Sequence, residues 1–106
     1  MADTYKSFGT ILGVTAATTV YSGVVGTALV NSVNCSNDDL YRTNTITIEL
    51  VKGSTAYTII RSADLPLNTT LQVLDAPIVL ESGDTLRATA GYTAPVDIIV
   101  SVLEIT

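Results

Sequence analysis

Asn34, Asn37, Asp38 and Asp39 are the densest group of oxygen donors in the chain. Oxygen donors are what Ca²⁺ takes, but this spacing matches no calcium loop. Asn and Asp also bond their own backbone and so favour turns. A solvated turn therefore accounts for them, and no metal site is assigned. Asp64, Asp75, Glu81 and Asp84 are the other acids close in sequence. Glycoside hydrolysis needs a carboxyl pair in a cleft with one pKa raised, whereas these four are predicted to lie in turns. Cys35 is the single cysteine, so it has no internal disulfide partner, and the chain has no histidine. A nucleophilic thiol needs an adjacent base, so Cys35 is expected as a small buried hydrophobe. Without histidine the commonest general base and metal ligand are missing. No catalytic residue, cofactor or metal is assigned, and an enzyme is the least expected reading. Asn34-Cys35-Ser36 and Asn68-Thr69-Thr70 match the glycosylation sequon. Met1-Ala2-Asp3 does not open a basic-then-apolar leader, so no secretory signal is expected and the sequons are read as coincidence. Tyr92, in a predicted loop, is the one candidate platform for a sugar.

The elements that would position such residues are strands. The chain has 106 residues, 47% hydrophobic and only 14% charged, against about 25% charged in ordinary domains. Thr, Val, Ile and Ser dominate, a composition of strands rather than helices. The net charge is −5 and the five basic residues, Lys6, Arg42, Lys52, Arg61 and Arg87, are scattered. Phosphate binding needs clustered Lys and Arg, so a nucleic-acid partner is not expected. The span between Lys6 and Asp38 carries no charge and is long enough to cross a bilayer. It is broken by Gly9, Gly13, Gly23, Gly26 and many Thr and Ser, so strands with small-residue turns are predicted and no membrane contact.

The closing stretch from Thr93 to Thr106, TAPVDIIVSVLEIT, organises the rest. In a strand alternate side chains take opposite faces. Val96, Ile98, Val100 and Val102 form one set; Asp97, Ile99, Ser101, Leu103 and Ile105 form the other. Both are rich in apolar residues, so cover on both faces is expected, where a half-solvated strand would need one. Upstream, Met1 to Lys6 reads as a polar arm and residues 7–14 as an edge strand or extended arm. Strands follow at 17–21 and 27–36, the latter alternating poorly. Thr43 to Val51 alternates cleanly, Lys52-Gly53-Ser54 turns the chain, and Thr55 to Arg61 returns with Tyr57 and Ile59 on one side. Ser62 to Asn68, holding Pro66, is predicted to be irregular. Short strands at 69–74, 78–80 and 85–90 complete the set. Eight or nine short antiparallel strands predict one small β-sandwich over 1–106, jelly-roll or immunoglobulin-like. Its expected core includes Ile46, Ile48, Leu50, Leu86, Ile98 and Val100.

From Ile78 to Thr106 the chain carries a short apolar strand, LESGDTLRATAG, a brief loop and a closing VDIIVSVLEIT, preceded upstream by TTVYSG and the TITIEL…TAYTII hairpin. This resembles small virion proteins of tailed bacteriophages, particularly aquatic and cyanobacterial ones. The resemblance implies a structural role on the virion. The first expectation is a capsid decoration (cement) protein, bound across capsomers and commonly trimeric. A neck, tail or head-fibre accessory protein is the alternative. A module binding host-surface sugars is the rival from a different class. The implied partners are the major capsid protein or other virion proteins, and further copies of the chain.

Ile99, Leu103 and Ile105 face away from the expected core, and soluble monomers tend to avoid such an exposed apolar stripe. Burial against a neighbouring subunit is expected, with Phe8 and Ile11 joining the interface. The competing arrangement folds the N-terminal arm back so that Phe8 and Ile11 cover the stripe.

Overall fold

Apolar–polar alternation with regular turn signals folds this chain into strands. The computed structural model describes residues 3–13, 15–22, 26–37, 42–92 and 95–105, and among them are nine strands and no helix. In chain order they are β1 (Asp3–Leu12), β2 (Thr18–Tyr21), β3 (Thr27–Asn37), β4 (Asn44–Lys52) and β5 (Thr55–Leu65), then β6 (Thr70–Gln72), β7 (Ile78–Glu81), β8 (Thr85–Ala90) and β9 (Val96–Ile105).

Two sheets form. Sheet A runs β1-β9-β3-β6, with β7 also on β3; sheet B runs β2-β8-β4-β5. β6 pairs with residues 34–36 of β3 and β7 with residues 27–30, so the two short strands share one position along β3. Consecutive strands alternate between the sheets except at the β4–β5 hairpin and the shared β6/β7 position. That is a jelly roll. An immunoglobulin-like domain would keep its first two strands in one sheet, whereas β1 and β2 here lie in different sheets.

The core fills the space between the sheets. Val96, Ile98, Val100 and Val102 of β9 are all buried, facing Ile46 and Ile48 of β4 and Leu86, Ala88 and Ala90 of β8 within one cluster. Of the six expected core residues, five are fully buried and Leu50 is half-buried against the same cluster.

Four expectations are corrected. The polar arm is strand from Asp3 onward, paired with β9 along its whole length. The segment read as irregular is strand to Leu65, bent by a positive φ of 48° at Ser62. Asp64 and Glu81 therefore lie in strands, β5 and β7, instead of turns. Ile60 joins Tyr57 and Ile59 on the core side, where simple alternation would turn it away. Tyr57 opposes Leu50 and Ile60 opposes Ile48, with register shifts on either side of Ile48. These are β-bulges, in which an extra residue reverses the alternation. The same device explains the poor alternation of β3: its register with β9 shifts between Val30 and Ser32, leaving Asn31 as the extra residue. Turns form at Gly53, with φ 60°, and at Gly83, with φ 90°, conformations that glycine adopts without steric cost.

Candidate functional site

In an antiparallel sheet, residues paired directly across strands project from the same face. Rows can therefore be read across the outer face of sheet A. Tyr5 of β1 opposes Leu103 of β9, Leu103 opposes Leu29 of β3, and Leu29 opposes Val79 of β7. Four apolar side chains thus cross the sheet in one line. Ile105 lies one row to one side, next to Thr27. Toward the other end come Ser7–Ser101–Ser32, then Gly9–Ile99–Asn34–Gln72, then Ile11–Asp97–Ser36–Thr70. Tyr5 is 77% exposed, Ile11 73%, Val79 53% and Ile99 49%. Leu29, Leu103 and Ile105 are half-buried by their sheet neighbours. Gly9 has no side chain beside Ile99, and a shallow depression forms there between Ile11 and Ile99. A second lies between Tyr5, Asn31 and Ser101 on the same face.

Of the five expected interface residues, this face brings together Ile11, Ile99, Leu103 and Ile105. It does not include Phe8, which opposes Val100 and turns inward. The Phe8 ring meets Tyr21 at 5.1 Å between centroids. The N-terminal strand does not fold over the stripe as a cover; it lies beside β9 in the plane of the sheet. Within this chain the outer face of β9 stays open at Ile99. Leu29, Val79 and Tyr5 are not legible in the sequence as members of this face, because nothing local marks which strands flank β9.

The outer face of sheet B differs. Its rows are Thr19–Arg87–Glu49–Thr58 and Thr89–Thr47. Arg87 Nε donates to Glu49 Oε1 at 2.8 Å, and this holds the Glu49 carboxyl below its usual range. One face of the sandwich is mostly threonine with the Arg87–Glu49 pair and Val51; the other carries apolar residues, serine and amides, with Asp97 and Glu81 toward its ends.

Several of the polar and titratable side chains serve the fold. Asn37 points into the core, where Nδ2 donates to the carbonyls of Arg42 at 2.9 Å and Leu65 at 2.8 Å. Asn34 lies in the Ile99 row of the outer face, so Asn34 and Asn37 do not converge; Asp38 and Asp39 lie outside the described residues. Among the described residues, no three His, Cys, Asp or Glu side chains gather as metal ligands. Burial pushes the Cys35 thiol up to about 12, so it stays protonated at neutral pH. Asp84 accepts from Lys52 Nζ at 2.6 Å and from the Glu81 amide at 2.9 Å, closing the Gly83 turn. Glu104 accepts from Tyr21 Oη at 2.6 Å and pairs with Lys6 at 3.0 Å. Burial, then the Glu104 carboxylate, raises the Tyr21 phenol well above its usual range. Asn44, fully buried, accepts from the amides of Gly91 and Tyr92 and so fixes the loop after β8.

Comparison with family models, curated proteins and solved structures finds no match. Tyr5, Tyr57 and Tyr92 are exposed, but they stand on β1, on β5 and in the loop after β8 respectively. A sugar platform needs its rings together, and these stand apart. The outer face of sheet A offers a broad apolar surface instead.

Proposed function

We propose that this chain is a structural docking protein whose working surface is the outer face of sheet A, and that its concrete form is a decoration protein on the head of a tailed phage. The apolar row Tyr5–Leu103–Leu29–Val79 carries the reading. Sheets spaced about 4.8 Å per strand and rising about 3.3 Å per residue give this face roughly 600 Å² in projection. Stable protein interfaces bury about 800 Å² per partner. The face is therefore of the right size to be covered by one protein partner, at about 25 cal/mol per Å² of apolar area before association costs. The resemblance of residues 78–106 to phage virion proteins supplies the virion context. Fold alone does not, because jelly rolls serve lectins and enzymes as well as capsids. Repeated attachment on a lattice would multiply a modest single-site affinity.

The test is attachment of the purified protein to phage heads stripped of their small surface proteins, read by co-sedimentation and by electron cryo-microscopy. Attachment in regular copies on the shell is expected, lost in Leu103→Asp, whose charge would be desolvated without a partner. Val102→Asp, one residue away but facing the core, is expected to unfold the chain. A Leu103→Asp protein that attaches normally would remove this face from the proposal. Attachment only to necks or tails would move the protein elsewhere on the virion.

A further inference from the structure

A sandwich that is not closed into a barrel has edges, and exposed edges are templates for pairing with another chain. This one has four: β1 and the β6/β7 position in sheet A, β2 and β5 in sheet B. Three carry features that discourage pairing. β2 has four residues, and its register with β8 breaks between Thr19 and Tyr21. β5 is shifted in register beside Ile48, carries Arg61 and turns through a positive φ at Ser62. β6 and β7 have three and four residues with Pro77 between them. β1 is neither short, shifted in register nor turned by a positive φ. It is ten residues long, contains no proline and keeps an unbroken register with β9. Its one internal charge, Lys6, is drawn back to Glu104 of its own chain at 3.0 Å.

We propose that a second copy of this chain occupies that edge, β1 pairing antiparallel with β1 across a two-fold axis at Phe8, so that sheet A runs on from one copy into the other. The register follows from self-complementarity. A two-fold at Phe8 sets each residue i opposite residue 16 − i of the second copy. Tyr5 then faces Ile11 of the second copy, and Ile11 faces its Tyr5. These are the two most exposed large hydrophobic residues among the described residues, at 77% and 73%. Ser7 faces Gly9, Lys6 faces Thr10, and the two Phe8 rings meet on the axis; no like charges oppose each other. A two-fold centred on Tyr5 would pair only half of the strand, and one centred on Ser7 would set Tyr5 against Gly9. The Phe8 register uses nearly the whole edge, which supplies roughly ten main-chain hydrogen bonds, as many as a typical stable interface. A two-fold contact of this kind closes on itself. It gives a dimer in place of the trimer that the resemblance to decoration proteins implies.

The proposal does not depend on what covers the outer face. Sedimentation equilibrium of the native chain is expected to give twice the monomer mass; a monomer at every accessible concentration, or a trimer, overturns it. Directly opposed Cα atoms in such a pair lie about 4.5–5.5 Å apart, within disulfide reach. Under a mild oxidant, Tyr5→Cys mixed with Ile11→Cys is expected to cross-link, and neither variant alone. Cross-linking of Tyr5→Cys with itself, or none in the mixture, overturns the register. The double variant Tyr5→Asp, Ile11→Asp opposes like charges across the axis and is expected to be monomeric with an unchanged circular dichroism spectrum; a persistent dimer counts against the proposal. Val79→Asp, at the far side of the same sheet, is expected to abolish attachment to heads and leave the dimer intact, so that the two proposals fail separately.

Discussion

Glu104 joins the two sheets at their open corner. Its carboxylate takes the Tyr21 hydroxyl from β2 and the Lys6 ammonium from β1. The Tyr21 hydrogen bond, then Lys6, holds its pKa below the ordinary value. Lys52, then the Glu81 amide, does the same for Asp84, and Arg87 does so for Glu49. A carboxyl whose folded pKa lies below its unfolded one binds fewer protons when folded. Its stabilisation is present above the unfolded pKa and is lost as pH falls through the folded pKa. Thermal stability is therefore expected to hold near neutrality and to fall steadily below about pH 4.5, the ordinary carboxyl range. Glu104→Gln is expected to be less stable at neutral pH and to lose less on acidification, as scanning calorimetry across that range would show. Ile48 is buried between Ile60 and Ala88 on its neighbouring strands. Ile48→Ala is expected to cost about 2–5 kcal/mol by urea denaturation, and a loss under about 1 kcal/mol would mean a site that collapses freely. Ile48 was legible in the sequence because β4 alternates without interruption on its core side. Phe8 does not share the outer face of sheet A with Ile11, because residues 8 and 11 differ by an odd number and take opposite faces in an unbroken strand.

At the scale of elements, the bulges hid most. Alternation predicts facing only while the count is unbroken, and β3 and β5 both carry extra residues. β3 shows how little separates a readable strand from an unreadable one. Val30 opposes Val102, Ser32 opposes Ser101 and Val33 opposes Val100. Without Asn31 those three would follow in regular alternation, with Ala28, Val30, Val33 and Cys35 all inward. Deletion of Asn31 is therefore expected to leave a folded protein with a Tm near that of the native chain. Deletion of Asn34 would turn Cys35 and Asn37 outward and is expected to prevent folding, a contrast that circular dichroism and thermal melts read directly. The sheet order was not legible for a different reason. Pairing β1 with β9 joins strands about 90 residues apart by residue number, and nothing local marks such partners. A sandwich follows from strand number and turn spacing, whereas the choice between jelly roll and immunoglobulin-like order depends on which crossovers the whole chain makes.

The molecule as a whole divides its polarity between its two outer faces. Sheet B presents threonine and the Arg87–Glu49 pair. Sheet A presents its apolar row, with Asp97 and Glu81 toward its ends. The chain carries a net charge of −5, so copies brought side by side on a lattice repel one another. If attachment runs through the apolar row, salt has little Coulombic attraction to weaken at the contact. It does screen repulsion between neighbouring copies, over a Debye length of about 10 Å at 0.1 M and about 3 Å at 1 M. Attachment through a charged patch would respond the other way, since steering and exposed ion pairs fade as salt rises. Occupancy of the heads is therefore expected to hold or increase when sodium chloride is raised from low to high concentration, measured by co-sedimentation at fixed protein. A steep fall in occupancy over that range would show that charged residues, such as those along sheet B, make the contact, and would remove the apolar face from its proposed role.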